Sequence, residues 1–204
     1  MKIPYLFALT FLVLLLFAFV KNNNQIEIFT EQVKIDSVIT FEKSLNANAE
    51  FLNMNVFLST NSFPQGKKYK MAKPLIVKRE QRGILPIYAE YFYSVPDSIL
   101  RYVSYDWERD KYGNFNNKKK IWEEESGKLD AYNQEYETIK TNLRNRFGKP
   151  VKEDIGLQKV KTDSKAGFYY TRECYWETPL YHAELVMIFE AMTYRINFTY
   201  YWKT

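Results

Sequence analysis

Few residues in this chain have the chemistry of a catalyst. His182 is the single histidine and Cys174 the single cysteine. Any imidazole base must therefore be His182, and a Cys174–His182 pair across neighbouring strands is a conceivable nucleophile with its base. A lone cysteine in a strand is more often a small buried hydrophobic residue, which is our expectation here. No serine lies in a G-x-S-x-G context, so a nucleophile elbow is not supported.

Metal and cofactor sites have little support in the sequence. One cysteine and one histidine do not make the usual four-ligand zinc site, and a chain with 7 glycines has little scope for a glycine-rich phosphate loop. Asp106, Glu108 and Asp110 alternate as ligands do in a calcium loop. Lys111 replaces the glycine of such a loop, and Asn117 replaces its bidentate glutamate. We therefore expect a strand that runs into a polar loop, and no cofactor.

Carboxylates alone can perform acid–base chemistry, as they do in glycoside hydrolysis. Such a mechanism needs two carboxyl groups that face each other across a cleft, which spacing along the chain does not settle. The candidates are the acidic residues of the predicted strands, namely Glu90, Asp106, Glu173, Glu177 and Glu184.

A basic segment follows the turn sequence of residues 61–66. Its members, opposed within the segment only by Glu80, are Lys67, Lys68, Lys70, Lys73, Lys78, Arg79 and Arg82. Such a segment could contact anionic head groups, glycans or another protein. Lysines are equally typical of a solvated loop and strand edge, where they discourage edge pairing. Nucleic acid is not an expected partner, because acidic residues are interspersed elsewhere and the predicted location is outside the cytoplasm.

Aromatic residues make up 18% of the chain, a high fraction. Aromatic side chains are favoured on strands by packing alone, so we expect most of them to fill a core. Several of them on one exposed face would instead indicate a site for a sugar or a peptide. The residues considered are Tyr91, Tyr93, Tyr102, Tyr105, Trp107, Trp176, Tyr200, Tyr201 and Trp202.

Two alternating runs predict a β-hairpin. Residues 85–93 and 99–107 alternate in hydrophobicity, and Val95-Pro96-Asp97-Ser98 between them is a good tight-turn sequence. The preceding residues 26–60 fit both strand and helix spacing, and the sequence leaves open whether they belong to the folded domain.

The clearest helix is predicted at residues 128–147. Its apolar residues are spaced by three or four positions, which places them on one stripe that must pack on another element. Gly148 can adopt the left-handed stop conformation and Pro150 prevents continuation. The residues of the stripe are Leu129, Tyr132, Tyr136, Ile139, Leu143 and Phe147.

Strands return after Pro150. Residues 172–177 and 194–202 alternate cleanly, and residues 183–190 are apolar on both faces apart from their glutamates. Short links between consecutive strands favour antiparallel pairing. The order of strands, helix and strands predicts an α+β domain over 26–204, with the helix at about 128–147 packed on one face of an antiparallel sheet.

The amino terminus predicts a membrane segment. Residues 3–20 form an uncharged run of 18 residues, and a helix of that length spans about 27 Å, close to the hydrocarbon core of a bilayer. Large residues flank Ala18, so a small-residue cleavage site is absent. We expect residues 1–20 to be an uncleaved signal anchor or transmembrane helix and the polar residues 21–25 to be a spacer. The positive-inside tendency then puts the rest of the chain outside the cytoplasm.

An anchor and a well-patterned sheet without a catalytic constellation indicate a non-catalytic binding or accessory module of the cell envelope. Its partners would be the membrane, through residues 3–20, and an envelope protein or glycan. Three alternatives stay open. They are an envelope hydrolase that uses paired carboxylates, a purely structural or assembly role, and a secreted or periplasmic protein if the signal is cleaved.

Overall fold

The computed structural model describes residues 26–81, 83–162, 167–190 and 193–203. The predicted anchor at residues 3–20, the predicted spacer at 21–25 and Arg82 lie outside the described residues. No helix in the described ranges is both long and apolar enough to cross a bilayer.

Antiparallel strands dominate the described residues and form one sheet of nine. Their order is β1-β2-β3-β4-β9-β8-β7-β5, and β6 pairs with β7. The strands are β1 (Phe51–Leu52), β2 (Leu75–Arg79), β3 (Ile87–Tyr93), β4 (Leu100–Trp107), β5 (Lys152–Glu153), β6 (Gln158–Lys161), β7 (Phe168–Glu177), β8 (Tyr181–Glu190) and β9 (Thr193–Trp202).

Three α-helices accompany the sheet in the described residues: α1 (Ile35–Leu45), α2 (Phe115–Glu125) and α3 (Leu129–Phe147), with a short 3-10 helix at Pro64–Lys68. The prediction of an α+β fold with an antiparallel sheet is therefore confirmed. Helix α3 agrees with the predicted segment, and it is capped by Gly148, whose positive φ of 78° is a backbone conformation that favours glycine.

Residues 26–60, which the sequence left open, contain α1 and the two-residue strand β1. Ile35, Val38 and Glu42 lie at helical spacing and are buried, and α1 packs on β3. The helical layer is therefore larger than the single main helix that the sequence predicted.

The two faces of the sheet differ in what covers them. Because side chains alternate along a strand, one face carries Tyr91, Tyr105, Leu185 and Phe198, which share a core with α1 and α3. We call this the helix-covered face and the opposite one, on which neither α1 nor α3 packs, the helix-free face. On β3 and β4 the helix-free face is also buried, whereas on β7 and β8 its residues are mostly half-exposed.

Candidate functional site

The cysteine and the histidine do not form a catalytic pair. Cys174 pairs with Leu185 and is buried on the helix-covered face, where burial raises the pKa of its thiol to about 11. His182 lies on the opposite face, between the rings of Tyr201 and Tyr175, and its Nδ1 bonds to Glu177. The sheet separates the two side chains, so a nucleophile with its base is excluded here.

Two of the five candidate carboxylates converge. Glu90 on β3 and Asp106 on β4 are 3% and 1% exposed, and Lys111 from the loop after β4 bonds to both. Tyr112 donates a hydrogen bond to Glu90, and Ser104 Oγ donates to Asp106 Oδ2 at 3.2 Å. We call Glu90, Asp106, Lys111 and Tyr112 the lysine cluster. The other three carboxylates are elsewhere on the helix-free face, where Glu177 bonds to His182 and Lys203, Glu173 lies 3.7 Å from Lys152, and Glu184 is half-exposed.

The chemistry of the lysine cluster follows from its single cation. Burial raises the pKa of Glu90, Lys111 opposes this shift, and the charge of Asp106 adds to it. Asp106 Oδ1 is buried and has no hydrogen-bond partner among the described residues. Because the ammonium of Lys111 occupies the position between the two carboxylates, a substrate and a water cannot reach both of them in this arrangement. The cluster fastens the loop at residues 108–114 to the sheet.

Only some of the side chains in the basic segment are exposed. Lys67, Lys68, Lys70, Lys73 and Lys78 are exposed. Lys73 bonds to Asn53 Oδ1, and Lys78 pairs with Glu80.

Arg79 has to be removed from the predicted anion-contacting surface, because it is 7% exposed and pairs with Glu42 of α1. Arg79 Nε donates to Glu42 Oε2 at 3.0 Å and its Nη2 donates to Tyr91 Oη at 2.9 Å. The guanidinium also lies 5.5 Å from the ring centroids of Phe41 and Tyr105. We call Glu42, Arg79 and Tyr91 the arginine cluster. It pins α1 to β2 and β3, and its charge is not available to a ligand.

Most of the aromatic candidates fill the core. The buried ones are Tyr91, Tyr102, Tyr105, Trp107, Trp176, Tyr200 and Trp202. Tyr93 and Tyr201 are half-exposed. Half-exposed rings on the helix-free face include Tyr201 and, among residues outside the candidate list, Tyr169 and Tyr175.

A cleft that the sequence did not indicate lies beside α3. Its volume is about 630 Å³, within the range of ligand sites. Apolar side chains form its floor, and polar side chains of α3 and of the β2–β3 loop form its rim. The floor consists of Ile26, Ile28, Trp107, Ile139 and Leu143, and the rim of Gln81, Glu135, Thr138, Asn142, Asn145 and Arg146.

The wall of the cleft opposite α3 is formed by residues 26–29, which are held by hydrogen bonds with tyrosine hydroxyl groups. Tyr105 Oη donates to the carbonyl of Glu27 at 2.9 Å, and the Phe29 amide donates to Tyr200 Oη at 3.2 Å. Tyr181 Oη donates to the carbonyl of Phe29 at 3.3 Å. These bonds join residues 26–29 to strands far along the chain, so the cleft is a feature of the tertiary structure.

The charges of the cleft lack counter-charges in the described residues. Glu135 is half-buried without a hydrogen-bond or ion-pair partner there, and burial raises the pKa of its carboxyl. Arg146 is exposed and likewise makes no ion pair with the described residues. Arg144, two residues earlier, bonds to both oxygens of Glu153 at 2.6 Å. The cleft therefore presents one carboxylate and one guanidinium that form no ion pair with the described residues.

The polar stripe of α3 was visible in the sequence, but the opposing wall was not. Glu135, Asn142 and Arg146 follow one another at seven and four positions, which places them on one side of a helix. Nothing in the spacing associates them with Ile26, Ile28 or Gln81, which are distant along the chain.

No family model, curated protein or solved structure matches this chain. The choice of the cleft as the candidate site therefore rests on its geometry and charges.

Proposed function

We propose that this chain is a membrane-anchored, non-catalytic binding module of the cell envelope, and that the cleft beside α3 receives its partner. The observation that carries the proposal is the cleft of about 630 Å³. It combines an apolar floor with a few convergent polar groups, one of which, Glu135, has a raised pKa. An apolar floor, convergent polar groups and a perturbed pKa are features of ligand sites.

The sequence of the amino terminus supports a location at the membrane. Residues 3–20 have the length and apolar character of a membrane-spanning helix. The five residues 21–25 extend over at most about 18 Å, and Ile26, which follows them, lines the cleft. An anchor at residues 3–20 would therefore keep the cleft within reach of membrane-proximal segments of other envelope components.

A binding role has more support than hydrolysis. Glu90 and Asp106 are the two of the five candidate carboxylates that share a contact with one side chain, and that side chain is Lys111. A lysine bonded to both carboxylates is typical of a structural ion-pair network. The charged groups of the cleft, in contrast, are open to a ligand.

The test is site-specific photo-cross-linking in the native host. A photoreactive amino acid at Asn142, which lines the cleft, is compared with one at Thr141, which is equally exposed on α3 but does not line it. We expect a discrete adduct in the membrane fraction from the Asn142 variant alone. Equal adducts at both positions, or none at either, would refute the cleft as the binding site.

The intact mass of the same samples tests the anchor separately. A full-length chain in the membrane fraction is the expected result. A soluble chain that lacks about 20 residues, as after removal of a signal peptide, would refute the anchor without bearing on the cleft.

A further inference from the structure

The cleft has the dimensions of a short extended polypeptide. Glu135 and Arg146 are eleven residues apart on α3, so they are separated by about 16 Å along the helix axis. Eleven residues are close to three full turns, which brings both side chains to the same side of the helix. An extended chain covers this distance in about five residues.

The two ends of this distance carry opposite charges. Glu135 lies beside the β2–β3 loop, where a Cβ added to Gly83 would be 3.3 Å from Glu135 Oε1. This packing accounts for the half-buried position of the carboxyl and leaves it without a cation in the described residues. Arg146 at the other end offers a planar fork of donors, which binds a carboxylate through two hydrogen bonds.

Amide side chains line the cleft that contains these two charges. Asn142 and Asn145 are exposed on α3, and Gln81 of the β2–β3 loop lines the same cleft. Gln81 is held in place by a hydrogen bond from its Nε2 to the carbonyl of Leu85 at 2.6 Å. A side-chain amide carries both donors and an acceptor, so it can pair with the N–H and C=O groups of an extended backbone.

The floor below the amides accepts apolar side chains. Ile28, Ile139 and Leu143, which line the cleft, are buried at 6%, 4% and 1% exposure. Successive side chains of an extended segment point to opposite sides. One set can therefore rest on this floor while the other set faces solvent.

We propose that the cleft binds an extended polypeptide segment of about five residues, with a cationic side chain at the Glu135 end and a carboxylate at the Arg146 end. This inference rests on the proposed function, because it names the ligand of the same cleft. The opposite charges at the two ends distinguish the segment from an uncharged glycan and from an acyl chain. Its source is another envelope protein within reach of the anchored chain.

The test uses the full chain in detergent micelles and labelled peptides with blocked ends, measured by fluorescence anisotropy. The sequences acetyl-KVTVE-amide and acetyl-QVTVQ-amide differ only in their end charges. We expect the charged peptide to bind at least about fivefold more tightly, since each partly exposed ion pair contributes up to about 1 kcal/mol. Equal binding of the two peptides, or no binding of either, would overturn the proposal.

A charge exchange makes the test specific to Arg146. The Arg146→Glu variant should lose its preference for acetyl-KVTVE-amide and should prefer acetyl-KVTVK-amide by a similar factor. The matched control is Lys149→Glu, which makes the same change in net charge at an exposed residue outside the cleft and should leave both affinities unchanged. A variant Arg146→Glu with unchanged peptide preference would overturn the assignment of the carboxylate end.

The outcomes for the ligand class and for the site are distinguishable. The Asn142 cross-link reports occupancy of the cleft by any partner, whereas the peptide series reports only the charge pattern. A specific cross-link to a membrane component together with no discrimination between the peptides would leave the binding module standing and overturn the polypeptide ligand. A cross-link that joins two copies of this chain, or two parts of one copy, would overturn it as well.

Discussion

The arginine cluster and the lysine cluster lie on opposite faces of the same sheet, and their buried charges are compensated differently. In the arginine cluster, one guanidinium faces one carboxylate, and Tyr91 adds a hydrogen bond to the same carboxylate. In the lysine cluster, one ammonium faces two carboxylates, and Asp106 Oδ1 has no hydrogen-bond partner in the part of the chain that the structure describes. Charge and hydrogen bonds are therefore balanced in the arginine cluster and unbalanced in the lysine cluster.

The two clusters also differ in the elements that they connect. The arginine cluster joins two regular elements, α1 and the sheet, and the aromatic rings of Phe41 and Tyr105 flank the guanidinium. The lysine cluster joins the sheet to a loop, which can move away and admit water at lower cost. We therefore expect the arginine cluster to contribute more to folding and the lysine cluster to respond more to pH.

The largest expected effect comes from removing the cation of the arginine cluster. Arg79→Met leaves Glu42 buried at 1% exposure without its counter-charge, and breaking a buried pair in this way costs about 3–5 kcal/mol. Urea denaturation of the full chain in micelles, followed by tryptophan fluorescence, gives the free energy of unfolding. The double variant Glu42→Leu/Arg79→Met should lose less than the single one, because no unpaired charge is left. A single-variant loss below about 1 kcal/mol would contradict the comparison.

A smaller loss is expected for Lys111→Met at neutral pH, on the order of 2–3 kcal/mol. Two carboxylates then lie side by side in a buried position, but the loop can open to solvent. The loss should shrink as the pH falls, because protonation removes the unpaired negative charges. The control is Lys120→Met, at a side chain 80% exposed whose ion pair to Glu124 is 3.9 Å long, and it should leave the stability unchanged. A loss independent of pH would refute the role assigned to Lys111.

A third effect concerns the pH dependence of the unchanged chain. The pKa of Glu90 is raised from its ordinary value of 4.5, chiefly by burial. A carboxyl with a raised pKa binds its proton more tightly in the folded state, so its contribution to stability is present at low pH and is lost as the pH rises above 4.5. Glu90→Gln should therefore flatten the decline of stability with rising pH. Glu108 and Glu184 have pKa shifts of the same sign, so the readout is the difference between the two pH profiles.

The smallest effect on stability is expected in the cleft. Glu135→Gln and Arg146→Gln remove charges that have no partner in the described fold, and such substitutions usually change the free energy of unfolding by less than about 0.5 kcal/mol. Peptide binding should nevertheless weaken in both variants. A large loss of stability in either variant would show that its charge serves the fold and would weaken the case for a ligand site.

Local patterns accounted for much of the fold. The stripe of α3 and the stop at Gly148 agree with the helix from Leu129 to Phe147, and the alternation of residues 194–202 agrees with β9. In each segment the hydrophobic residues repeat with a single period, so the sequence of that segment alone indicates which side is buried. The predicted turn also formed, with Asp97 Oδ1 accepting from the amide of Ile99 at 3.1 Å.

Residues 26–60 show where local patterns failed. Both strand and helix spacing fitted these residues, and the structure forms α1 and only the two-residue strand β1 there; α1 buries a glutamate on its inner side. In the sequence, Glu42 is a polar interruption of the inner side of a helix. Its burial is explained only by its contacts with Arg79 and Tyr91 in the folded chain. Arg79 in turn resembles its basic neighbours, and its role depends on a residue 37 positions earlier in the chain.

The class of fold, the main helix, the later strands and the residues with useful chemistry could be predicted from the sequence, because these depend on side-chain type and on periods within single elements. Four features became visible only in the folded chain: which charges are buried, that Cys174 and His182 lie on opposite faces, that Glu90 and Asp106 share Lys111, and that Ile26 and Ile28 line a cleft beside α3. Each of these depends on contacts between residues distant in sequence, and the free energy of such a contact depends on burial and partners that a local pattern does not contain.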